Sequence, residues 1–139
     1  MYTERLSEKL EVVTWIPPML ADDEEVTDLN TIDMSKGRRA LFIIEVGATD
    51  TTVVAQVYEI NEGGPQALAG KTISFAATDD DTVGVIEVAA EEMSAGYTVL
   101  GLVLTVGDGD TGAYVSAVGL LGVLRDHPAV EAADVQYVA

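Results

Sequence analysis

Hydrophobic and polar residues alternate along much of this chain, and two apolar runs interrupt the alternation. Arg38-Arg39 lead into Ala40-Leu41-Phe42-Ile43-Ile44, then Glu45, Val46 and Gly47. A run this short and this rich in β-branched and aromatic residues predicts a central strand covered on both faces. After Ala48-Thr49-Asp50-Thr51, Thr52 to Ile60 reads as its hairpin partner. Tyr97 to Val106 is the second candidate for full burial, with Leu100, Leu102, Leu104 and Val106 on one face. Val99, Gly101, Val103 and Thr105 take the other face.

The remaining segments follow the same period. Glu8 to Ile16 has strand composition and is expected to stop at Pro17-Pro18, because proline cannot continue a ladder. Ala21 to Glu25 reads as a charged loop, Val26 to Asp33 as a loosely alternating strand, and Asp33 to Gly37 as a turn. Asn61-Glu62-Gly63-Gly64-Pro65 is a loop, and a short strand centres on Lys71 to Phe75. Beyond the Asp79-Asp80-Asp81 turn, Val83, Val85 and Glu87 share one face of a strand, with Gly84, Ile86 and Val88 on the other. Ala90 to Gly96 has room for one helical turn, its acidic residues at the start. Gly107 to Gly112 reads as a hairpin connection into a last strand from Ala113 to Val123, where Gly119 and Gly122 suggest a bulge or a close backbone approach.

About eight strands joined by short polar connections predict an all-β single domain over residues 1–139. Two antiparallel sheets packed as a jelly-roll-like sandwich fit the count, with an immunoglobulin-like sandwich as the competitor. Residues 1–7 are expected to form an N-terminal arm, and residues 125–139 a C-terminal tail.

Composition narrows the function. The chain carries 24 acidic against 7 basic residues, a net charge of −17. On a surface on the order of 7,000 Å², that is roughly one uncompensated negative charge per 400 Å². Such a surface repels nucleic acid and anionic membranes, so partners are expected to be neutral, basic or cation-bearing. Adaptation to high salt is the alternative source of the charge. No apolar run approaches the ~18 residues that cross a bilayer, and the polar N-terminus does not read as a signal peptide. Without cysteine there is no disulfide framework and no thiol nucleophile.

Candidate chemistry is sparse. The single histidine, His127, precedes Pro128 in the tail with no nucleophile elbow elsewhere, which argues against a catalytic triad. Few aromatic residues and scattered carboxylates argue against glycoside hydrolysis. Asp79-Asp80-Asp81 and Asp108-Gly109-Asp110 offer oxygen ligands suited to calcium but lack the rest of an EF-hand loop, and read as polar turns. No catalytic residue, metal ligand or cofactor is therefore assigned, and the chain is not expected to be an enzyme. Trp15, the only tryptophan, reads as core or subunit-interface material. Lys36, Arg38 and Arg39 are expected to pair with carboxylates, within the chain or on a neighbouring subunit.

The stretch from Asn30 to Ala48 joins an Asp-Met-Ser turn to an Arg-rich strand start, a Leu-Phe-Ile strand and a Val-Gly-Ala turn. Thr52-Val53-Val54-Ala55-Gln56-Val57, Ile86-Glu87-Val88, Glu91-Glu92 and Leu102-Val103-Leu104-Thr105-Val106 follow in order. This arrangement, over roughly residues 30 to 123, resembles tailed-phage and prophage structural proteins, and the chain is similar to their capsid cement or decoration proteins. It departs from the pattern at Gly37, where an aromatic usually precedes the arginine. The resemblance implies a virion protein, made in the host cytoplasm, that binds the outer capsid surface and stabilises it. Its partner would be the major capsid protein, and its own state a homotrimer or homodimer. The implied contacts lie in residues 1–20 and in the tail with Arg125 and His127, alongside Trp15, Lys36, Arg38 and Arg39. The alternatives are a head-tail connector or tail component, and a carbohydrate- or calcium-binding β-sandwich module.

Overall fold

The computed structural model describes residues 9–124, so the expected arm over 1–7 and tail over 125–139 lie outside the described residues. Nine strands run in order: β1 (Glu11–Ala21), β2 (Glu24–Thr27), β3 (Ile32–Asp33), β4 (Gly37–Thr49), β5 (Val53–Asn61), β6 (Gly64–Phe75), β7 (Thr82–Ala89), β8 (Val99–Val106) and β9 (Ala113–Leu124). One sheet has the order β1-β9-β4-β7, the other β2-β8-β5-β6, with the two-residue β3 also pairing β8. All pairings are antiparallel.

The order is that of a jelly roll. The β5–β6 hairpin lies innermost in sequence, flanked by the pairs β4–β7, β2–β8 and β1–β9, as if one long ribbon had been rolled up. Alternation supplies the core. Ala40, Phe42, Ile44 and Val46 of β4 face Val53, Ala55 and Val57 of β5 and Leu100, Leu102 and Leu104 of β8 across the sandwich. In β7 and β8 the inward residues are the ones that period two selects: Ile86 and Val88, and Leu100 to Val106 in steps of two. Gly119 marks the close approach expected of it, since a Cβ there would crowd Phe42 and Ile32 at 3.1 and 3.2 Å. The helical turn is a 3-10 turn at Ala90–Glu92, with Glu92 accepting the Ala89 N–H at 2.8 Å.

Several expectations need correcting. The expected loop at Asn61 to Pro65 is only a two-residue turn, because β6 is a twelve-residue strand and not a short one around Lys71 to Phe75. The strand expected at Tyr97 to Val106 is not covered on both faces, since Val99 and Val103 are half-buried and Thr105 is exposed. β1 does not stop at Pro17-Pro18 but runs through them, its register shifting between Ile16 and Met19. Proline is tolerated there because β1 is an edge strand, so the missing N–H costs no ladder bond at a bulge. The segment from Ala21 to Asp33 divides differently, with Glu24-Glu25 opening β2 and residues 28–31 separating β2 from β3.

β4 and β5 are not hairpin partners but lie in opposite sheets, and so do β8 and β9. Three extended residues span ~10 Å, the distance between packed sheets, so a short connection can cross layers as readily as reverse within one. Carboxylates hold these crossings together: Asp50 accepts the N–H groups of Thr111 and Gly112 at 2.7 and 2.9 Å, and Asp22 that of Gly109 at 2.9 Å. Finally, β4 is covered on one face only. Leu41 and Ile43, on the other face, are half-buried, and among the described residues no further sheet lies above them.

Candidate interaction face

The uncovered face of β4 continues across its whole sheet. Ladder register places Trp15 opposite Val118, Val118 opposite Ile43 and Ile43 opposite Val85, one apolar row from β1 to β7. The next row reads Val12, Leu120, Leu41 and Glu87. On the other side lie Ser116, Glu45 and Val83, then Leu20 opposite Tyr114. Among the described residues, Leu20, Val83, Val85 and Tyr114 of this face stand 44, 60, 54 and 52% exposed. Four strands ~4.8 Å apart and eight residues of ~3.3 Å make a surface of about 500 Å². Apolar side chains fill only part of it, since Glu45, Ser116, Glu87 and Arg39 share the face, and an apolar patch rimmed by polar residues in this way is a candidate interaction site.

Two shallow grooves cross this face. One, about 380 Å³, is lined by Trp15, Pro17, Pro18 and Ile43 together with Glu45 and Ser116. The other, about 580 Å³, is bounded by Leu20, Tyr114, Val83 and Asp81. Ser116 donates to Glu45 Oε2 at 3.4 Å where the two meet. At the far end Arg39 lies 3.8 Å from Glu87, so the two charges bordering the apolar rows offset each other. An exposed pair of this kind stabilises little and is a rim feature.

The opposite sheet carries a groove of about 470 Å³, walled by Tyr58, Ile60 and Val103 over Gly101, with Asp28 at its edge. Burial pushes the Asp28 carboxyl above its ordinary value, and hydrogen bonds from Thr14 and the Leu102 backbone pull the other way. The Thr14 hydroxyl lies 2.9 Å from Asp28 Oδ2, fastening the loop after β2 to β1. Here the carboxylate closes the gap where β2 leaves the ladder.

Of the residues singled out from sequence, Trp15 lies on the apolar face, half-buried. Lys36 is exposed in the turn before β4, and Arg38 and Arg39 are exposed at its start. Arg39 has an intramolecular carboxylate partner, one of the two arrangements expected. The three cations gather at one end of β4 and do not meet Trp15, which lies two rows beyond Arg39. Arg125 and His127 lie outside the described residues. In the first acidic turn, Asp79 accepts the Ala76 N–H and Asp80 the Thr49 N–H, at 2.7 and 3.0 Å, and in the second the Gly109 N–H donates to Asp22. Among the described residues, no group of three or more His, Cys, Asp or Glu side chains could hold a metal ion.

Sequence reasoning missed two features. Leu41, Ile43, Val118 and Tyr114 were not seen as surface, although the alternation in β7 already left Val83 and Val85 on the outer side. The second is Glu59, only 1% exposed at the end of the inward series Val53, Ala55, Val57. Period two carried through Tyr58 would have placed it inside.

No family model matches the sequence, and no curated protein matches it. Solved structures do resemble it. A chain of the Triatoma virus empty capsid is 8% identical, over 88% of this chain and 94% of that one, with a TM-score of 0.50. The likeness is one of fold. A chain from Bacillus endospore appendages, described as disulfide-linked pili, is 11% identical over 89% and 98% of the two chains, with a TM-score of 0.49. A CBM4 structure is 11% identical over 73% and 66%, with a TM-score of 0.48.

Proposed function

We propose that this chain is a virion structural protein of a tailed phage, a cement or decoration protein that binds the outside of the capsid and performs no catalysis. The observation that carries the reading is the apolar outer face of the β1-β9-β4-β7 sheet. Trp15, Val118, Ile43 and Val85 form a continuous row there, on a chain whose net charge is −17. An acidic protein that concentrates apolar side chains on one rigid face is built to be held by another protein surface. The acidic remainder can point to solvent, where it repels nucleic acid. Many copies on one shell would add modest contacts into a large stabilisation. The sequence resemblance over residues 30 to 123 supports the phage setting, with the major capsid protein as partner and a homotrimer or homodimer as the attached form.

Gold-labelled antibody on intact particles from a culture encoding the chain tests the location. Label over the heads is expected. Label on tails would replace this reading with the connector or tail alternative, and unlabelled particles would refute a virion role. Ile43→Lys tests the face itself, because it places a charge at the centre of the row on a half-buried, outward side chain. Loss of an interface anchor of about 2 kcal/mol weakens binding about 30-fold. Head occupancy in particles carrying the variant should fall accordingly, while thermal unfolding of the free protein stays within a few degrees. Undiminished occupancy would remove this face from the contact.

A further inference from the structure

The four sheet edges are not alike. β1 is covered: Leu29 donates its N–H to the Trp15 carbonyl at 3.0 Å, and the Asn30 side chain donates to the Val13 carbonyl at 3.3 Å. It also carries Pro17, Pro18 and two register shifts. β2 has four residues, two of them Glu24 and Glu25. β6 begins at Gly64-Pro65, has Gly70 at φ +79°, and shifts register opposite Gln56 and Tyr58. These are the devices that keep a sheet edge from recruiting another strand.

Among the described residues, β7 has none of them between Thr82 and Ile86. It pairs with β4 without a register shift from Arg39–Ala89 to Val46–Thr82, and it contains no proline and one charged residue, Glu87. Lys71 donates to the Glu87 carbonyl at 2.8 Å, guarding that end alone. Val83 and Val85, 60 and 54% exposed, sit on the unguarded part. β-Branched side chains beside an edge with no ladder partner favour adding a strand.

We propose that β7 pairs antiparallel with β7 of a second copy, about a two-fold axis at Val85, joining two four-stranded sheets into one of eight strands. This goes beyond capsid attachment and does not depend on it. Charge selects the register. Centred on Val85, each Glu87 faces Val83 of the other copy, whereas a centre at Gly84 would set Glu87 against Asp81. Like charges directly opposite are destabilising, which disfavours the second register. The pairing closes on itself because it is isologous. The two free ends of the joined sheet are then both β1 edges, each already covered, so the product is a dimer and not a fibre. It also carries the apolar rows of both copies across a single continuous face, doubling the area available to a partner.

Sedimentation of the full chain across the micromolar range should show twice the monomer mass. Val85→Lys, on a side chain already in solvent, should return it to the monomer mass with a cooperative unfolding transition that, unlike the wild type's, does not depend on concentration. The chain has no cysteine, so Val85→Cys should form a covalent dimer under mild oxidation, the facing Cα atoms lying within disulfide reach. Thr105→Cys, exposed on the opposite sheet, should not. A monomer at every concentration, a Val85→Lys dimer, or equal cross-linking at both positions would each overturn the proposal. Labelled heads together with a monomer in solution would reject the β7 pairing and leave the capsid reading standing.

Discussion

Replacing Gly112 with alanine should cost about 3 kcal/mol, close to the largest effect of any single methyl group in this protein. Gly112 immediately precedes β9 after the crossing from the other sheet and sits at φ +105°, a region costly for residues with a Cβ. An added Cβ would also collide with the backbone carbonyl of Ala21 and approach Asp22 Cβ to 2.9 Å, and backbone cannot swing aside as a side-chain tip can. Its N–H is fixed as well, donating to Asp50 Oδ1 at 2.9 Å. Gly96 supplies the control. It has φ +85° but nothing within 4 Å of the Cβ position, so Gly96→Ala should cost only the conformational part, about 1 kcal/mol. Urea unfolding of both variants separates strain from collision. Equal losses would mean that the three crossings at this end do not pack as tightly as their distances imply.

These crossings mark the boundary of what a single sequence conveys. The inward positions of β7 and β8 followed from alternation alone, because a sheet with one buried face repeats every two residues. Strand neighbours did not follow. Asp50 to Thr52 is long enough for a hairpin or for a passage between layers, and the residues that decide, Thr111 and Gly112, lie about sixty positions away. Pro17-Pro18 were read as a terminus because nothing local reveals that β1 is an edge strand, the one setting where prolines are tolerated inside a ladder.

The interaction face was hidden by the same limit, in a more instructive form. Ala40 to Ile44 was read as buried on both sides because both of its faces are apolar. That reading is chemically sound, but the sequence does not say which layer does the covering. Phe42 and Ile44 are covered by the chain's own second sheet, whereas Leu41 and Ile43 face outward. A strand in the middle of a domain and a strand awaiting a partner share one hydrophobic signature. The difference became visible only once the β1-β9-β4-β7 order placed Trp15, Val118 and Val85 in the same row.

Glu59→Ala should be the other severe substitution, and its cost should depend on pH. The Glu59 side chain ends an inward-facing series, with Ser94 N–H donating to Oε2 at 2.8 Å and the Gln66 amide donating to Oε1. Burial by itself would raise this carboxyl, but the hydrogen bonds from Ser94 and Gln66 outweigh it and hold the group below the usual glutamate range. A folded pKa below the unfolded one contributes stability above the unfolded value of about 4.3, and that contribution is lost as pH falls through the folded value. Truncation to alanine removes the acceptor from the Ser94 N–H and the Gln66 amide, donors on exposed residues that water can reach, and empties a buried position, costing about 2 kcal/mol near neutrality. Glu59→Gln keeps the volume but offers a donor where Ser94 and Gln66 both require an acceptor, so about half that loss is expected. Denaturant unfolding at neutral pH and again near pH 3 should show the gap between wild type and Glu59→Gln narrowing in acid, as the wild-type carboxylate gains its own proton. Asp28, which burial raises, works in the opposite sense, so the comparison must be between variants at Glu59 and not between whole pH curves. A gap that stays constant from neutral to acid would mean that Glu59 is held by shape and not by charge.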